Sequence, residues 1–123
     1  MGAAPTRRVL IVEDDAFLAM DLEMMLGDAG YGVAGPARTA AEGLAAIDEG
    51  GIDAALIDLN LGEGDSEAIA DRLAAEGIPF AYVTGHAADA LPAAHRQRPL
   101  LSKPVGEPAL RQTLDTMIRA GDI

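Results

Sequence analysis

At 123 residues, half of them apolar and nearly a quarter charged, the chain has room for one domain that buries its own core, which excludes two full domains and a disordered tail. Nine Lys and Arg against 20 Asp and Glu give a net charge of −11, which repels phosphate backbones and anionic bilayers and argues against direct nucleic-acid or membrane binding. Cysteine is absent, so disulfides, thiolate zinc sites and a cysteine nucleophile are excluded too.

In chain order, residues 1–6 read as a dispensable, flexible tail, and no signal-peptide core of sufficient length precedes Glu13. No run of about 18 apolar residues follows anywhere, so a soluble, cytoplasmic chain is expected. Val9-Leu10-Ile11-Val12 is a continuous apolar run of the kind found in strands covered on both faces. Asp15 is placed to cap a helix whose Leu18, Leu22, Met25 and Ala29 share one face and which Gly30 ends; the methionines of this helix read as core. A weaker strand lies around Tyr31 to Ala34, bounded by the turn signal Gly35-Pro36. Thr39 with Glu42 forms a capping-box pattern that opens a second helix carrying Leu44 and Ile47. The third strand is Ala54 to Ile57, ending in Asp58, and a third helix opens at Asp65 or Ser66, carries Ile69 and Leu73, and closes near Gly77.

Phe80 to Val83 makes the fourth strand. Between it and the brief fifth strand, Leu100-Leu101, Asp89 offers a cap and Pro92 a first-turn residue for a short helix, but the periodicity is poor and mobility is expected there. The last helix starts about Glu107, with Pro108 tolerated in its first turn, and carries Leu110, Leu114, Met117 and Ile118. Five strands alternating with helices imply right-handed crossovers and a doubly wound α/β sheet. Ligands of such sheets sit beyond the carboxyl ends of the strands, where strand order reverses.

The residues that follow each strand therefore carry the functional argument. Glu13, Asp14 and Asp15 follow the first, Asp58-Leu59-Asn60 closes the third, Thr84-Gly85-His86 follows the fourth and Ser102-Lys103-Pro104 the fifth. Carboxylates brought together in this way repel unless one keeps its proton or a cation joins them. Oxygen donors without His or Cys point to a hard divalent ion, and a shallow site with room for water and a phosphoryl oxygen points to Mg²⁺. An EF-hand loop is excluded, because the residues after Asp58 lack the remaining ligands at their spacing. Taken singly, each acid has an ordinary explanation as a helix cap or turn residue, and Lys103 as a solvated cation. Lys103 is nevertheless the chain's only lysine, beside eight arginines, which favours a role for a compact ammonium. His86 and His95 have no partner at ligand spacing and read as structural or surface residues.

Four motifs, each at the end of its own strand, carry a resemblance to the receiver domain of two-component response regulators: Val9 to Asp15, Leu56-Ile57-Asp58-Leu59-Asn60-Leu61, Val83-Thr84-Gly85 and Leu101-Ser102-Lys103-Pro104. The resemblance implies a single receiver domain over residues 1–123, with a flavodoxin-like (βα)5 parallel sheet of strand order 2-1-3-4-5. It implies Asp58 as phosphoacceptor for a histidine kinase or phosphotransfer protein. Mg²⁺ would be held by Glu13, Asp14, Asp58 and the backbone carbonyl of Asn60, with Glu13 acting through water. Thr84 would be the switch hydroxyl, Lys103 the phosphoryl's ammonium partner, and Lys103-Pro104 a cis peptide. Such a domain is not an enzyme in the ordinary sense but a phosphoacceptor that assists its own phosphorylation and dephosphorylation. Its downstream partner is not legible in the sequence.

The chain departs from the general pattern at Leu100, where receivers usually carry Tyr or Phe. The Tyr82 to His86 and Pro99 to Val105 segments are similar instead to the FAT GUY subgroup, whose tyrosine position is occupied here by His86. Two other classes compete. A Mg²⁺-dependent phosphatase or phosphotransferase would need a small-substrate pocket and usually a cap segment. A flavodoxin-type binding module would need glycines and hydroxyls where Glu13 to Asp15 stand.

Overall fold

The computed structural model describes residues 7–61, 65–85, 91 and 93–121. Five strands, β1 (Arg8–Val12), β2 (Gly32–Ala37), β3 (Ala54–Asp58), β4 (Phe80–Thr84) and β5 (Leu100–Ser102), form one sheet in the order β2-β1-β3-β4-β5. Every pairing is parallel. Helices α1 (Ala16–Asp28), α2 (Ala40–Glu49), α3 (Asp65–Ala75) and α4 (Glu107–Gly121) cover the two faces, and a 3-10 turn at Ala93–His95 precedes β5. This is the doubly wound architecture and strand order expected from the sequence.

The continuous apolar runs are explained by burial on both sides. Alternate residues of a strand point to opposite faces, so Leu10, Val12, Ala55, Ile57, Phe80 and Tyr82 pack with Ile47, Ile69 and Leu73 on one side. Val9, Ile11, Leu56, Val83 and Leu101 pack on the other with Leu22, Leu26, Leu110, Leu114 and Met117. Each fully buried Leu or Ile contributes about 1.5–3 kcal/mol. The caps form where expected: the Asp15 side chain accepts from the backbone N–H of Phe17 and Leu18, and Thr39 Oγ1 accepts from Glu42 N–H at 3.1 Å. Glu42 reaches back to Arg38 N–H at 3.0 Å.

Two expectations are corrected. Gly35-Pro36 is not a turn after the second strand but lies inside β2, which runs on to Ala37. β2 is an edge strand, where a proline's missing N–H deletes no ladder bond. Gly35 adopts φ +82 and its bond to Pro36 is cis. A Cβ on Gly35 would lie 2.6 Å from the Ala37 nitrogen, so glycine is required there. The methionines of α1 are also not all core. The buried stripe is Ala19, Leu22 and Leu26, and helical geometry then turns Met20 and Met24 outward, 58% and 66% exposed. Met25 is partly buried. The short helix expected from Asp89 and Pro92, its mobility, and the flexible tail at residues 1–6 lie outside the described residues, as does His86. No helix among the described residues is long and apolar enough to cross a membrane.

Candidate functional site

The carboxyl ends of β1, β3, β4 and β5 bring the expected residues to one edge of the sheet, beside the reversal of strand order between β1 and β3. The chain leaves β1 through Glu13, whose backbone N–H donates to Ala37 O on the neighbouring strand at 2.9 Å. The Glu13 side chain is buried, only 2% exposed. Asp14 stays exposed, and Asp15 is committed to capping α1. Asp58 ends β3 with its side chain 3% exposed; its Oδ1 accepts from Asn60 N–H at 3.0 Å. Thr84 ends β4 fully buried, and its carbonyl accepts from Lys103 N–H at 2.8 Å. The Lys103-Pro104 bond is cis, as expected.

Carboxylate oxygens of Glu13, Asp14 and Asp58 lie within 4.8 Å of one another. Lys103 Nζ sits 3.5 Å from Glu13 Oε1 and 3.5 Å from Asp58 Oδ1, a charge partner for two buried acids at once. Glu13 Oε2 accepts from Asp15 N–H at 3.1 Å, while buried Glu13 Oε1 has no hydrogen-bond partner among the described residues and meets only the Lys103 ammonium, at 3.5 Å. Burial above all, and then the neighbouring Asp58 carboxylate, push the Glu13 carboxyl up to about 7. The Asp15 N–H and the Lys103 ammonium pull the other way. A buried carboxylate oxygen without a hydrogen bond among the described residues, clustered with two further acids and with only oxygen donors in the group, fits a hard divalent cation. A cation at this point would offset both the burial and the neighbouring Asp58 charge that raise the Glu13 carboxyl.

Glu13, Asp14, Asp58, Asn60, Thr84 and Lys103 thus all lie at this edge, with Asp14 and Asn60 exposed and Glu13, Asp58 and Thr84 buried. Ser66 has a part beyond opening a helix: buried in the first turn of α3, it donates to Leu59 O at 3.3 Å and ties the helix to the loop behind Asp58. A polar residue at a helix start reads from sequence as a cap, which hides this tether. A cavity of about 250 Å³ lined by Glu13, Ala16, Ala19, Met20, Glu23, Pro36 and Arg38 opens beside the acids. Two larger grooves, about 410 and 480 Å³, are lined by other residues and include none of the site's. His95 is structural, as expected: it is 5% exposed and its Nε2 bonds Asp71 Oδ1 at 2.7 Å.

Comparison with known proteins places the chain in a family. Residues 9–115 match the sequence profile of the response regulator receiver domain. The solution structure of the BeF3-activated conformation of SdrG from Pseudomonas melonis shares 38% identity and a TM-score of 0.78, over 90% of this chain and 95% of that one. The solution structure of SdrG from Sphingomonas melonis shares 37% identity and a TM-score of 0.80, over 92% and 97%. The phyllosphere-induced regulator PhyR of Methylorubrum extorquens is 30% identical over 89 residues, 70% of this chain; the chain spans about a third (33%) of that relative's length.

Proposed function

The chain belongs to the response regulator receiver domain family of two-component signalling, and from that premise we propose that it accepts a phosphoryl group on Asp58 from a histidine kinase or phosphotransfer protein in the cytoplasm, using Mg²⁺. The observation that carries this reading is the placement of Asp58: a buried carboxylate at a strand end, within 4.8 Å of the Glu13 and Asp14 carboxylates and 3.5 Å from the chain's only ammonium side chain.

Phosphoryl transfer passes through a loose transition state, so the protein's contribution is alignment and charge neutralisation. An Asp58 oxygen attacks phosphorus as the phosphorus–nitrogen bond to the donor imidazole breaks, leaving an acyl phosphate on Asp58 and the electron pair on the imidazole. Glu13, Asp14, Asp58 and the Asn60 carbonyl would hold Mg²⁺, which supplies charge against the phosphoryl oxygens. Lys103, already beside Asp58, supplies the remaining positive charge from the β5 side. Thr84, at the end of β4, donates its hydroxyl to the new anion, and that added charge biases the loop behind it. The products are a modified surface and a freed donor, so the chain acts as a phosphoacceptor rather than a turnover enzyme. A Mg²⁺-dependent phosphatase of small molecules has less support, since the cavity beside the acids is only about 250 Å³.

The test is phosphotransfer from a phosphohistidine donor protein with Mg²⁺ present. Loss of label from the donor with a matching gain on this chain, at no more than one phosphoryl per chain, supports the reading. Steady hydrolysis of small phosphate esters without a labelled chain would refute it.

A further inference from the structure

The peptide unit between Leu59 and Asn60, immediately behind Asp58, is held at both of its polar ends. Its carbonyl, Leu59 O, accepts from the Ser66 hydroxyl of α3 at 3.3 Å. Its N–H, that of Asn60, donates to Asp58 Oδ1 at 3.0 Å. The preceding N–H, that of Leu59, donates to Val83 O of β4 at 2.9 Å. Ser66 and Leu61 are both buried, so the loop is anchored from inside the protein on either side of Asn60.

A trans peptide unit is planar, with its carbonyl and its N–H on opposite sides. The two groups therefore turn together: a rotation that releases Leu59 O from Ser66 also swings the Asn60 N–H off Asp58. Asp58 Oδ1 also faces the Lys103 ammonium, at 3.5 Å. An ammonium at that distance acts as a point charge and tolerates many carboxylate orientations, whereas an N–H at hydrogen-bond distance is directional. The Asn60 N–H thus fixes how the Asp58 carboxylate is turned, and Ser66 fixes the Asn60 N–H. A hydroxyl in the first turn of a helix ordinarily serves that helix's own N–H groups; this one is spent on the carbonyl of another segment.

We propose that Ser66 is a positioning residue for phosphoryl transfer, which keeps the Asp58 carboxylate turned for attack by holding the Leu59 to Asn60 peptide unit. Only the effect on rate rests on phosphoryl acceptance at Asp58; the hold on the peptide stands on the two hydrogen bonds. Attack needs a carboxylate oxygen in line with the phosphorus–nitrogen bond, and a carboxylate free to rotate spends only part of its time aligned. Removing the Ser66 hydroxyl alters no charge at the site, and Ile69, Ala70 and Leu73 still anchor α3 in the core. The loss is one of alignment, so it is read as a slower reaction on an intact fold.

Comparing the full wild-type chain with Ser66→Ala and Ser66→Cys separates positioning from plain support of α3. The alanine deletes the donor, and the cysteine fills its place with a weak one. In chelator, with no phosphoryl donor present, exchange of the Asn60 amide should quicken at least about fivefold in both variants, the worth of one neutral hydrogen bond. Its proton resonance should move upfield, while the amides from Ile69 to Leu73 keep wild-type exchange and Tm falls by no more than about 5 °C. With acetyl phosphate and saturating Mg²⁺, labelling of Asp58 should slow at least about fivefold in both variants. Unchanged Asn60 exchange overturns the hold on the peptide. Equal quickening along α3 overturns it as well, because the hydroxyl then only supports the helix. Faster Asn60 exchange with a wild-type labelling rate overturns the positioning role. Wild-type behaviour of Ser66→Cys assigns the effect to lost volume and overturns the donor. A wild type that takes no label counts against phosphoryl acceptance, and the rate effect falls with it, while the amide measurements still decide the hold on the peptide.

Discussion

Replacing Glu13 by Gln should stabilise the metal-free protein at pH 8 and change it little at pH 4. Glu13 is buried, one of its oxygens has no hydrogen bond among the described residues, and burial together with Asp58 raises its carboxyl from 4.5 to about 7. An acid whose pKa is raised by folding favours the folded state while it is protonated. Its contribution is fully present below about pH 4.5 and is lost as pH climbs through about 7. A rise of about 2.5 pH units corresponds to about 3 kcal/mol of stability lost across that window, or about 10 °C in Tm for a domain of this size. Glutamine keeps the shape and never ionises, so the variant lacks this loss. Thermal melts of both proteins in chelator, from pH 4 to pH 8, should therefore converge at the acid end and separate toward the alkaline end, with the variant higher. Added Mg²⁺ should narrow the gap at pH 8 by raising the wild type more than the variant, which keeps Asp14 and Asp58. Parallel melting profiles across the whole range would refute the reasoning, because they would mean that Glu13 carries no uncompensated charge in the folded state.

Asp14→Ala should weaken Mg²⁺ binding by at least about tenfold and raise Tm in chelator, since it deletes one of three mutually repelling carboxylates; metal titration and melting check both. Lys103→Arg keeps the charge but replaces a compact ammonium with a broad planar fork beside Glu13 and Asp58. Labelling by acetyl phosphate should slow in that variant while Tm stays within about 2 °C of wild type, in the range of a substitution that opens no cavity. Asp15→Ala removes the side chain that accepts from Phe17 and Leu18 N–H at 2.9 and 3.3 Å. It should cost about 1 kcal/mol by denaturant titration and leave Mg²⁺ affinity nearly unchanged, which separates the cap from the metal-facing acids.

Much of the fold could be read from the residues because a parallel sheet buries both faces of its strands. Val9 to Val12, Ala54 to Ile57 and Phe80 to Val83 have no alternation to confuse them with exposed strands, and their ends then locate Glu13, Asp58 and Thr84. β2 runs beyond the end its sequence signals, because Gly35-Pro36 marks a turn anywhere except on an edge strand that tolerates a proline. Met20 and Met24 look like core because methionine is apolar in composition, whereas only the register set by Ala19, Leu22 and Leu26 decides which side of α1 each occupies. The contact between His95 and Asp71 joins residues 24 apart, beyond the reach of any local pattern. Tyr82 fits an apolar run by its ring, and its hydroxyl, buried with no hydrogen bond among the described residues, leaves no mark on that pattern. The acids at the strand ends are legible as a group; that Glu13 is buried and Asp14 exposed is not, since adjacent acids carry the same local signal and only the packed sheet edge separates them.

The central claim, that Asp58 is the phosphoacceptor, is tested most directly by incubating the wild type and Asp58→Asn with acetyl phosphate and Mg²⁺, followed by intact mass and peptide mapping. The account predicts a gain of one phosphoryl on wild-type chains, mapped to Asp58, lost in chelator and absent from the variant, whose melting shows an intact fold. Equal labelling of Asp58→Asn, or a phosphoryl mapped to another residue of the wild type, would contradict it.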